Sequence, residues 1–159
     1  MSALPAGHAE AVMDDANRAR LARFFTDYAW ALTTGDADAI AAAYADTYIE
    51  AEPGAGMAVV NDDALRSALR DRHEFMTREL GFQSAEVLAV APDDLAPGHA
   101  TADVLWRLHF VPPDRPASDP EFTITYVLRL GLPPVILLYA AHEPEAEVMR
   151  RHGLLDGNG

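Results

Sequence analysis

An α+β fold is predicted for this chain, with three N-terminal helices packed on one face of a curved, mainly antiparallel sheet and a short C-terminal helix. Three observations carry it: helical periodicity is confined to the first half, four β-rich runs fill the second, and Pro, Asp and Gly turns separate those runs. With 159 residues, half of them apolar, the chain has the size and content of one domain with its own core. That domain is placed at residues 14–153, with 1–13 and 154–159 as flexible tails.

The elements follow in order. Asp14 or Asp15 caps a first helix in which Leu21, Phe24, Phe25, Tyr28 and Leu32 recur at intervals of three and four, and Gly35 stops it. Asp36 caps a short second helix whose apolar face includes Ile40 and Tyr44, ending near Asp46. Residues 48–52 and 57–60, joined by the turn cluster Pro53-Gly54-Ala55-Gly56, read as a hairpin. Asn61, Asp62 or Asp63 caps a third helix with the stripe Leu65, Ala68, Leu69, Arg72, His73, Met76 and Leu80, closed by Gly81. Strands are expected at 82–91, 100–111, 121–130 and 135–142, and a last helix at 145–151.

Composition removes several function classes. All 12 basic side chains are arginine, so Schiff-base and lysine-base chemistry is excluded, and the absence of cysteine excludes disulfides, thiolate nucleophiles and cysteine-ligated metals. A net charge of −13 repels nucleic acid and anionic membrane surfaces. No apolar run approaches the ~20 residues of a membrane span and no signal segment is seen, so a soluble, cytoplasmic protein is expected.

The order of elements, the run GDADAIAAAYAD and the turn EAEPG together resemble the NTF2-like superfamily of cone-shaped α+β barrels, in particular its SnoaL-like and ketosteroid isomerase-like branch. The resemblance covers roughly residues 15–153. It implies a hydrophobic pocket, a first-helix tyrosine that hydrogen-bonds a developing enolate, and an acid before a proline that shuttles the proton. Those roles fall on Tyr28, eight residues before Asp36, and on Glu52, immediately before Pro53. The family's third polar position, an acid on a later strand, falls on Thr125, which retains a single hydroxyl donor.

Catalytic candidates are therefore Glu52 as base, Tyr28 as oxyanion donor, and Thr125 and His142 as auxiliary groups, with Trp30, Leu69, His73, Met76 and Trp106 as pocket lining. Each has an ordinary alternative: Tyr28 as a core tyrosine, Glu52 as a solvated hairpin residue, His73 as a hydrogen-bonded core histidine. Asp103, Arg107 and His109 share one strand face, as a surface charge ladder or an Asp-Arg site. His99, His109 and Asp103 do not converge without a curled strand, and HEPEA lacks the second histidine of a zinc motif, so no metal is expected. No cofactor is expected either.

Strand register stays open, because the family alignment turns Thr123, Thr125 and Val127 inward whereas hydrophobicity turns Phe122, Ile124, Tyr126 and Leu128 inward. Residues 135–141 are apolar throughout, which points to a sheet covered on both sides and hence to a homodimer through the outer face. The expected activity is SnoaL-like, cofactor-independent proton transfer (isomerase, dehydratase or cyclase) on an apolar carbonyl compound. The competing class is a non-catalytic module or dimeric scaffold holding a hydrophobic ligand in the same pocket.

Overall fold

The structure, a computed structural model, describes residues 13–156. Helix α1 (Asp15–Thr34) starts where the Asp14 carboxylate accepts the Asn17 amide at 2.8 Å, and ends at Gly35, whose φ of 70° lets its N–H reach back to Ala31 O. Asp36 caps α2 (Ala37–Ala42) and Asp62 caps α3 (Asp63–Glu79) in the same way. Each such cap contributes about 1 kcal/mol. A fourth helix, α4 (Glu145–Arg151), lies near the C-terminal end.

Six strands form one sheet: β1 (Tyr44–Glu52), β2 (Ala55–Val60), β3 (Phe82–Ala96), β4 (His99–Phe110), β5 (Glu121–Arg129) and β6 (Val135–Ala141). Their order is β2-β1-β6-β5-β4-β3. Every pair is antiparallel except β1 with β6. The α+β architecture of helices on a curved sheet is thus present. At its centre Leu21 and Phe25 of α1 meet Val104, Trp106, Tyr126, Leu128 and Ile136, all 2% exposed or less. Burying each such side chain contributes roughly 1.5–3 kcal/mol.

Two expectations are corrected here. The second helix stops at Ala42, and Tyr44 opens a strand instead of extending the helix. The Asn61 side-chain amide donates to Ala41 O at 2.7 Å and to Tyr44 O at 3.2 Å, and its backbone N–H donates to Asp46 O at 2.8 Å, so a distant residue turns the chain out of the helix. Met13 and Leu154, expected in flexible tails, are buried in the core and Leu155 packs against it; positions 1–12 and 157–159 of those tails lie outside the described residues.

Register follows hydrophobicity. Tyr126 and Leu128 are buried, so the alternation of a strand turns Thr125 and Val127 to the outer face, and the inward position given to Thr125 by alignment is wrong. One inward row crosses five strands: Met57, Glu50, Tyr139, Tyr126 and Ala102. Its first four members line the site.

Candidate functional site

A cavity of about 570 Å³ lies between the inner sheet face and the helices. Every tyrosine of the chain lines it: Tyr28 from α1, Tyr44 and Tyr48 from β1, Tyr126 from β5 and Tyr139 from β6. The rings form a continuous wall, with Tyr44 and Tyr48 centroids 4.3 Å apart, Tyr44 and Tyr139 6.3 Å, and Tyr28 and Trp106 5.8 Å edge to face. Helix α3 closes the opposite side with Leu65, Leu69, Arg72, His73 and Met76, yet no α3 residue is fully buried. Its apolar face, with Leu69 and Met76 packed only in part against the core, also borders the cavity.

The hydroxyls of Tyr28 and Tyr44 are 2.6 Å apart, so one phenol donates to the other and one phenolic proton of the pair stays available to a third oxygen. Burial pushes the Tyr28 phenol up to about 12; the hydrogen bond with Tyr44 opposes the shift and the Glu50 carboxylate adds to it. Burial also raises Tyr44 and Tyr126, and burial followed by the Glu50 charge raises Tyr48 and Tyr139. All five phenols therefore keep their protons near neutral pH. They are donors there, not bases.

Glu50 is the carboxylate on this wall, and its charge acts on Tyr28, Tyr48 and Tyr139. It is half-buried, beside Tyr139 in the parallel β1–β6 pair, and accepts the Tyr48 hydroxyl at 3.2 Å. Glu52 shares its face two residues on, at the mouth and exposed to solvent. Two ion pairs flank that mouth, Arg72 with Glu145 and Arg151 with Glu143 at 3.0 Å. Trp106 donates its ring N–H to Tyr126 Oη at 3.1 Å, which orients that phenol.

Of the residues chosen from the sequence, Tyr28, Glu52, Leu69, His73, Met76 and Trp106 line the cavity. His73 does so as a bracket, its Nε2 donating to Thr33 O at 3.3 Å, with the ring edge-on to Phe82. Three others do not line it. Trp30 is 69% exposed, because two positions along a helix rotate it about 200° from Tyr28. Thr125 and His142 lie on the outer face, where Thr125 Oγ1 donates to Asp103 Oδ1 at 2.6 Å and accepts from His142 Nε2 at 2.8 Å.

Sequence reasoning missed Glu50, Tyr44, Tyr48, Tyr126 and Tyr139. The signal was present in β1, where Tyr44, Tyr48, Glu50 and Glu52 all share the parity of Glu52. Beginning the strand at Tyr48 hid half of it. Among the described residues no group of three or more His, Asp or Glu side chains is placed to hold a metal ion.

Solved structures share this arrangement of helices and sheet. An NTF2-like protein with a cystatin-like fold from Novosphingobium aromaticivorans superposes with a TM-score of 0.65 at 15% identity, covering 89% of this chain and 90% of that one. The fold is NTF2-like. ActVI-ORFA from Streptomyces coelicolor has the same NTF2-like cone, with a TM-score of 0.63 at 18% identity over 79% of this chain and 96% of its own. A protein provisionally named a scytalone dehydratase, also from N. aromaticivorans, has a TM-score of 0.63 at 12% identity over 79% and 83%. No family model and no curated protein matches the sequence. No helix of the described NTF2-like cone is long and apolar enough to cross a membrane.

Proposed function

We propose that the chain is a SnoaL-like enzyme that moves a proton on an apolar carbonyl compound without a cofactor. The observation that carries this reading is Glu50, a half-buried carboxylate hydrogen-bonded to Tyr48 on the wall of an apolar cavity lined by five neutral phenols. The Glu50 carboxylate takes a proton from the carbon next to the carbonyl, and the C–H electron pair forms the enolate double bond. The enolate oxygen accepts the hydrogen bond left free by the Tyr28–Tyr44 pair. Protonated Glu50 then returns its proton to another carbon in an isomerisation, to a departing hydroxyl in a dehydration, or to a second carbonyl oxygen that the enolate carbon attacks in a cyclisation.

Glu52 at the mouth is too exposed for a base that needs a dry surrounding, so the role first given to it passes to Glu50. A structural neighbour that bears a dehydratase name supports the lyase variant of the reading. The alternative, a non-catalytic binding module, draws on that same exposure of Glu52. One measurement separates them: exchange of the acidic protons of 2-tetralone, an enolisable aromatic ketone, into D₂O, followed by NMR. Exchange above background is expected, falling about 10²- to 10⁴-fold in Glu50→Gln and about 10²- to 10³-fold in Tyr28→Phe. Binding of the ketone with no exchange would leave the binding module standing and the enzyme reading wrong.

We also propose that the outer face of the sheet, which no helix among the described residues covers, is the contact with a second copy of the chain.

A further inference from the structure

The cavity wall carries negative charge that the described residues do not balance. Four glutamates line it, Glu50, Glu52, Glu143 and Glu145, against a single arginine, Arg72. Arg72 is taken by Glu145, and Glu143 is taken by Arg151. Glu50 and Glu52, adjacent on the inner face of β1, have no cationic partner among the described residues. Glu50 meets instead a phenol, the Tyr48 hydroxyl, and stands in register beside the ring of Tyr139.

Around Glu50 the wall is aromatic, with the Tyr48 hydroxyl on the carboxylate and Tyr139 beside it, and Glu52 continues the same strand face to the mouth of the cavity. Ring faces attract cations through their quadrupole, and they do so more strongly where water is thinned out. A carboxylate in such a wall repels an anionic ligand, accepts at most a hydrogen bond from a neutral one, and is neutralised by a positive one. An apolar, ring-lined cavity of about 570 Å³ supplies space for the ligand body. Cavity, aromatic faces and unbalanced carboxylates thus agree on the sign of the ligand's charge.

We propose that this cavity selects ligands whose apolar body bears a protonated amine, the ammonium lying at the mouth against Glu52, in the field of Glu50 and the tyrosine rings. At the mouth an ammonium keeps part of its hydration, so its desolvation costs less than deeper in the cone. Glu50, further in, remains free for the carbon acid. The inference rests on reading the cavity as a small-molecule site. It adds that the substrate is an amino-bearing carbonyl compound.

Three probes with one skeleton test it: 2-aminotetralin, 2-tetralol and tetralin-2-carboxylic acid, titrated calorimetrically into the full chain near neutral pH. About 0.15 M salt confines the effect to charges within ~8 Å, which removes the general pull of an acidic protein on a cation. The amine is expected to bind about tenfold tighter than the alcohol, and the acid weakest. Glu52→Gln, checked for native circular dichroism, is expected to bring amine and alcohol within about threefold of each other, whereas Glu147→Gln on the outside of α4 leaves the ratio as it was. Alcohol or acid binding as tightly as the amine in the unaltered protein overturns the charge preference alone. Binding of none of the three overturns the small-molecule site itself.

Discussion

At Tyr28 the chemistry of one hydroxyl has consequences for the stability of the protein. An ordinary tyrosine is half-ionised at pH 10, whereas burial lifts Tyr28 to about 12 and lifts the other four phenols as well. Folded pKa values above the unfolded one mean that the native state binds protons more tightly than the unfolded state once the pH passes 10. The stabilisation is therefore complete below that pH and is lost as the pH rises through the native values. An absorbance titration at the tyrosinate band is expected to show little ionisation at pH 10, followed by ionisation of all five residues together with loss of the circular dichroism signal. Five independent transitions centred on the ordinary value would place the rings in water. Tyr28 was legible in the sequence because its helical spacing and its distance from Asp36 are local facts. Glu50 was not, since the residue before proline drew the assignment and only the parity of a longer strand separates the exposed carboxylate from the enclosed one.

Among the elements, the junctions depend on single residues. Gly81 ends α3 and starts β3 with a φ of 70°, and its carbonyl accepts the Val111 amide at 2.8 Å. A Cβ there would lie 2.0 Å from Val111 O, a backbone atom with no room to retreat. Gly98, in the β3–β4 turn, has a φ of 75° but nothing within 4 Å of a Cβ. Gly81→Ala is expected to cost about 3 kcal/mol or more and Gly98→Ala about 1 kcal/mol in denaturant unfolding, because the second carries backbone strain without the clash. Equal losses would mean that the approach to Val111 relaxes. Helix caps and turn glycines are why most of the fold could be read in advance: Asp14, Asp36 and Gly35 act within a few residues of themselves, and the positive φ of Gly81 marks the end of α3 even though its close approach is to distant Val111. The end of α2 could not, since alanines favour helix on both sides of it and the group that turns the chain is Asn61, far along the sequence.

Across the described residues, the inner face of the sheet is enclosed by the helices and the outer face carries no helix. Its rows can be followed strand by strand: Thr101, Val127, Leu138 and Ile49 lie side by side across β4, β5, β6 and β1, next to Asp103, Thr125, Ala140 and Ala51. Val127 and Leu138 are half-buried and Ile49 is 38% exposed, so an apolar band remains open to water. At the sides of the band stand both signs of charge, Arg107 with Glu86 and Glu121, while Thr125 bridges Asp103 and His142. A two-fold related copy can lay band on band. Opposing this is the net charge of −13 on each copy, which acts over ~30 Å at 0.01 M salt and over only ~8 Å at 0.15 M. Light scattering at micromolar concentration is thus expected to give twice the chain mass at the higher salt and a lower mass-average at the lower. Leu138→Arg, which places a cation in the middle of the band without touching the cavity, is expected to give the monomer mass at both. A monomer at 0.15 M salt in the unaltered protein would assign the apolar run of β6 to the packing of one chain alone.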